Sequence, residues 1–223
     1  MAKIRYTSIR WLKKNEQTAI DESIAMMSYN PSIGRVLKSG GVIKFKEIAV
    51  RKIKKLKNIK NQNQFDKYHN RFVLDVMKRI KKTATGKKIS YGQGQKPVNV
   101  FLKVYVDWAS YPNRQVSTRL RKFLHVPLDY RVMRYIKDER RSDFNKIVAP
   151  IYRKKGIGIS ALSLGNIDKD MYYAWQELCR KICPIKPLLL DVIWAKAPRK
   201  TKSRKRYRKV IRRGSQDVLS NCP

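Results

Sequence analysis

The sequence predicts an all-α fold, and two observations carry that expectation. Apolar residues recur at helical spacing along most of the chain, with the stripe Phe65, Tyr68, Phe72, Val73, Val76, Met77 and Ile80 the clearest case, lysines and arginines standing on its other face. No stretch shows sustained two-residue alternation bounded by hairpin turns, so a sheet has no source. At 223 residues and 42% hydrophobic composition, the chain has enough apolar surface for one good core or two small lobes.

Taken in order, Glu16 to Met27 reads as a helix and Pro31 to Leu37 as a short one. After the Gly40-Gly41 break, Phe45, Ala49, Ile53, Leu56 and Ile59 fall on one helical face, and the 65–80 stripe follows as a wall of the core. Thr83 to Tyr91 reads as a connector bearing glycine and lysine. Pro97 to Trp108 is apolar nearly all round, which predicts a buried central helix, and Pro112-Asn113 opens a basic loop. Pro127 to Lys137, Asp143 to Tyr152, Asp168 to Cys183 and Pro187 to Ala195 complete the helical set. Core packing is the default for Trp108 and Trp175.

The charge is extreme. Lys plus Arg number 53 against 16 acids, a formal net charge of +37, and ten of the basic residues lie between Arg199 and Arg213 with no acid among them. Such a charge repels itself unless a polyanion neutralises it, and contacts to phosphate with counterion release are its usual reason. The tail, with Arg199, Lys200, Lys202, Arg204, Lys205, Arg206 and Arg208, reads as a nucleic-acid arm over residues 197–223, after a helical unit over 1–196. No apolar run approaches the roughly 20 residues that span a bilayer, and no signal-peptide core opens the chain. A soluble intracellular protein without membrane contact is expected. Cys179, Cys183 and Cys222 are read as structural, without a disulfide framework, and with only His69 and His125 beside them no metal site is expected.

Two short segments carry chemistry. Gly92-Gln93-Gly94 reads as a hairpin over 90–97, where glycines allow close backbone approach and successive N–H groups converge on a phosphate. Pro97 then opens the next helix, which places Lys96 at its positive pole, where the amine's pKa should fall and free it for attack. Asp129, between Val126-Pro127-Leu128 and the apolar marks Val132, Met133 and Ile136, has the place of an N-cap. An ionised cap beside a pocket can also stabilise a developing cation.

These residues resemble the helix-hairpin-helix DNA glycosylases, and within them the archaeal 8-oxoguanine DNA glycosylase/lyases. The likeness lies in Gln95-Lys96-Pro97-Val98-Asn99-Val100-Phe101-Leu102-Lys103-Val104-Tyr105, in Val126 to Val132, in Trp175-Gln176-Glu177-Leu178 and in Ile185 to Trp194, about a third of the chain. The 33-residue spacing of Lys96 and Asp129 suits this branch better than the shorter one of endonuclease III relatives. Pro97 departs from the family's threonine, Val100 from an aromatic residue, and Asp191 and Trp194 stand three apart where four is the pattern.

The resemblance implies a two-lobed fold with the substrate groove between the lobes. It implies that Lys96 attacks the sugar C1′ to form a Schiff base, that Asp129 activates it, and that Gly92, Gln93, Gly94 and Arg131 seat phosphates. Asp191, Trp194 and Phe101 would hold a base swung out of the stack. The implied partner is double-stranded DNA carrying 8-oxoguanine or another modified base, acted on by a monomer in a prokaryotic nucleoid, with no cofactor. Two alternatives stand beside it. One is an α-helical ribonuclease of a defence system using Arg119 and His125, and the other a non-catalytic DNA- or RNA-binding protein.

Overall fold

Phe72, the centre of the predicted stripe, is fully buried against Phe45 and Phe101, with ring centroids 6.0 and 6.1 Å away. Three helices meet at these rings. In the computed structural model, which describes residues 9–29, 40–82 and 86–192, they are α2 (Gly41–Ile53), α3 (Gln62–Arg79) and α4 (Tyr91–Leu102). A helix α1 (Ile9–Ser28) packs across α2. Asn61 caps α3 by accepting the Gln64 N–H at 3.0 Å. The buried positions of α3 are Phe65, Tyr68, His69, Phe72, Val73 and Val76, the helical repeat seen in the sequence.

The chain turns between α3 and α4 through an antiparallel bridge of Lys81 with Lys88, where the Lys82 N–H donates to the Lys87 carbonyl at 2.9 Å. Helix α4 therefore begins at Tyr91, earlier than Pro97. Ser90 and Gln93 form a capping box: the Gln93 N–H donates to Ser90 Oγ at 3.1 Å and the Ser90 N–H to Gln93 Oε1 at 3.0 Å. Burial on nearly every side outweighs the interior Pro97, which offers no N–H to the turn before it. A π-helical turn, Lys103–Trp108, extends α4.

Beyond it lie α5 (Arg114–Arg121), α6 (Tyr130–Glu139), α7 (Arg141–Ile147), α8 (Ala149–Lys154) and α9 (Lys169–Ile182), then a 3-10 turn over Pro187–Asp191. The expected loop after Pro112-Asn113 is instead α5, because Asn113 accepts the Val116 N–H at 2.9 Å and starts a helix. Asp168 caps α9 in the same way, accepting from Met171. On α9, Trp175 is fully buried, its Nε1–H donating to the Tyr152 hydroxyl at 3.1 Å. One hydrophobic cluster joins residues from Ala25 to Leu190. All named elements among the described residues are helical, and none of these helices is long and apolar enough to cross a membrane. The short helix expected over 31–37 lies outside the described residues.

Cys179 is a free, buried thiol pushed up to about 12 by that burial. Cys183 is disulfide-bonded, which corrects the expectation that the cysteines carry no bridge.

Candidate functional site

Lys96 and Asp129 are brought together. The ammonium Nζ donates to Asp129 Oδ2 at 2.9 Å, and the side chains are only 6% and 16% exposed. Asp129 is the N-cap of α6: its other oxygen, Oδ1, accepts the N–H groups of Arg131 at 2.9 Å and Val132 at 3.0 Å. One carboxylate oxygen thus ties down a helix while the other faces the amine.

The approach of the two groups is set by the strap that precedes Asp129. Three consecutive carbonyls are caught by side chains of α4: Val126 by Asn99 Nδ2 at 3.2 Å, Pro127 by Lys96 Nζ at 3.3 Å and Leu128 by Gln95 Nε2 at 3.1 Å. Gln176, from α9, bonds both the N–H and the carbonyl of Val126, each at 2.9 Å. Buried amides left without partners cost about 1–3 kcal/mol each, so this register resists slipping. Behind it runs a second tier. Asn99 Oδ1 meets His69 Nε2 at 2.7 Å, Tyr172 OH lies 2.8 Å from His125 Nδ1, and His125 Nε2 reaches Asp66 at 2.8 Å. Burial holds both imidazoles below the ordinary histidine value, His69 well below it, and it outweighs the opposing pull of Asp66 on His125. Gln95, Asn99 and Gln176 were not singled out in the sequence, because buried amides carry no motif of their own.

The glycines do not form the expected phosphate hairpin. Gly92 and Gly94 are buried inside α4, and their N–H groups are consumed by the Ile167 and Ser90 carbonyls at 2.9 and 3.0 Å. Their role is close packing: a Cβ on Gly92 would fall 2.5 Å from the Leu164 carbonyl oxygen, and one on Gly94 would fall 3.0 Å from Met77 Cγ. Gln93 spends its side chain on the capping box. Lys96 accordingly sits in mid-helix, five residues past the start at Tyr91.

Phe101 is likewise no base platform, being fully buried among Phe45, Phe72 and Tyr105. Asp191 accepts Lys103 Nζ at 2.5 Å, a second lysine-carboxylate pair seven residues along from the first. Arg131 is half-buried in the first turn of α6. Trp194 and the arm residues Arg199, Lys200, Lys202, Arg204, Lys205, Arg206 and Arg208 lie outside the described residues. Trp108, read as core, is instead 66% exposed. For the ribonuclease pair, His125 is buried with both ring nitrogens engaged, and Arg119 donates to the Lys57 carbonyl at 2.9 Å.

Tyr130, next to Asp129, borders a shallow depression of about 440 Å³ shared with residues 160–164, among them Ser160, Ser163 and Leu164. The depression therefore opens one residue from the carboxylate, although neither Lys96 nor Asp129 lines it. Among the described residues no cluster of three or more metal-binding side chains occurs.

No family model matches the chain, and neither a curated protein nor a solved structure does.

Proposed function

We propose that this chain excises damaged bases from double-stranded DNA through a lysine Schiff base, as a glycosylase with strand-nicking activity. The observation that carries the reading is the contact of Lys96 with Asp129 in a strongly basic protein. Attack needs the neutral amine, and Asp129 is the base in contact to take its proton. The amine nitrogen then bonds to the sugar C1′, the C1′–N bond breaks, and its electron pair leaves with the base, which takes up a proton. Opening of the sugar gives the imine. Loss of a C2′ proton then expels the 3′ phosphate by β-elimination.

The substrate nucleotide must leave the duplex stack, at a cost of a few kcal/mol that is least for damaged or mispaired bases. Its sugar would enter on the Asp129 side, the more exposed of the two, with the Tyr130 depression beside it. Phosphate contacts fall to other groups than Gly92 and Gly94. The Lys81–Lys88 turn, with Lys87 and Lys88 exposed, would take the part first given to the glycines. The basic arm would run along the DNA, Asp191 and Trp194 would stand near the everted base, and the protein would act as a monomer in a prokaryotic nucleoid.

Borohydride trapping tests this on duplexes carrying 8-oxoguanine, other single modified bases or an abasic site. A covalent adduct is expected that is lost in Lys96→Ala, persists in Lys103→Ala and forms at least tenfold more slowly in Asp129→Asn. No adduct on any of these duplexes, or one unchanged in Lys96→Ala, overturns the reading and leaves a binding protein.

A further inference from the structure

Trp108 ends the π-helical turn that follows α4, with its indole 66% exposed. The surrounding framework is fixed rather than loose. Lys103 Nζ sits 4.5 Å from the ring centroid and is itself anchored on Asp191. Asp107, the preceding residue, receives Lys186 Nζ at 2.9 Å and Arg121 Nε at 3.4 Å. Arg121 Nη2 further donates to the Asp107 carbonyl at 3.2 Å and to the Ser110 side-chain Oγ at 2.8 Å, so one guanidinium bridges the residues on both sides of Trp108. The adjoining α5 is basic only: from Ala109 to Leu128 the chain has Arg114, Arg119, Arg121 and Lys122 and no acid. Arg114 and Lys122 are exposed.

We propose that Trp108 is a stacking platform for an unpaired base of single-stranded or locally opened DNA, with α5 supplying cations for the flanking phosphates. An ammonium over one face of an indole orients the ring and leaves the opposite face for a base. Stacking of this kind is tolerant of sequence and works together with a positive groove that follows the backbone. A π-turn at this point also fits, since such turns concentrate at functional sites. The cationic rim selects a polyanion over an apolar protein surface as the occupant. The inference rests on the DNA-binding half of the function proposed above and is independent of the amine chemistry, because its test uses DNA with no excisable lesion.

The experiment is fluorescence anisotropy of labelled oligo-dT, and of an undamaged duplex of the same length, titrated with the full chain. Trp108→Ala is expected to weaken oligo-dT binding by roughly 5- to 100-fold, with little change for the duplex. Trp108→Phe should restore most of the loss, and the dependence of affinity on salt should keep its slope, since no charge is removed. Unchanged oligo-dT affinity in Trp108→Ala, an equal loss on the duplex, or no rescue by phenylalanine overturns the proposal. Retained DNA affinity with lost self-association in light scattering would also overturn it, and would assign the ring to a protein contact.

Discussion

Lys96 and Asp129 lean on each other unequally. The carboxylate keeps two backbone N–H donors on Oδ1 whatever happens to the lysine, whereas the ammonium, among the described residues, has besides Asp129 only the Pro127 carbonyl at 3.3 Å.

Removal of the carboxylate is therefore the more damaging change. Asp129→Ala leaves a nearly buried cation without its counter-charge and uncaps α6, at an expected cost of about 3–5 kcal/mol. Lys96→Met keeps the cap and most of the side-chain volume, and costs less. Urea unfolding of the two variants measures the order, and a larger loss in Lys96→Met would refute this account of the pair.

The two glycines of α4 separate in the same assay. Gly92→Ala pushes a methyl against the Leu164 backbone, which cannot swing aside, and overpacking of that kind costs about 1–3 kcal/mol. In Gly94→Ala the nearest atoms are Met77 Cγ at 3.0 Å and Val73 Cγ1 at 3.3 Å, side-chain atoms that must give by only a few tenths of an ångström, and helix propensity gains up to about 1 kcal/mol, so the change costs less than Gly92→Ala. Were the segment a phosphate turn, both variants would fold normally and lose DNA affinity instead.

Acid should unfold the protein through its buried histidines. His69 and His125 are held neutral by burial, so their folded pKa values lie below the unfolded value of about 6.5, and the unfolded chain takes up protons first. Stability is intact above about pH 6.5 and falls as pH drops below it, by up to about 1.4 kcal/mol per unit for each ring. Urea midpoints measured between about pH 7.5 and pH 5.5 should decline, and the decline should be shallower in His69→Asn. A flat profile over that window would remove the histidines from the account.

The helical class and the α3 stripe were legible because burial there follows a simple 3.6-residue period. The meeting of Lys96 with Asp129 was legible too, though for a partly mistaken reason. Gly-Gln-Gly was read as a turn, whereas the stronger local signal was Ser90 with Gln93 three residues later, a capping box that starts the helix ahead of both glycines. The same kind of cap at Asn113 was passed over, and α5 with it. Apolar neighbours placed Trp108 in the core, where it is not, whereas Phe101 was drawn away from the core and into a base pocket by the resemblance alone. The apolar stretch over 97–108 did place Phe101 inward, but nothing in local composition shows that the π-turn carries Trp108 outward. The Gln95 and Asn99 contacts with the strap were out of reach, since a buried amide is recognised only once its partner is in place.

Because three successive peptide oxygens are gripped by one face of α4, backbone hinging cannot widen the gap between the Lys96 amine and the Asp129 carboxylate. Only a swing of the lysine stem can. On the function proposed above, an incoming sugar would meet a fixed anvil, and whatever bending the encounter required would have to come from the nucleic acid.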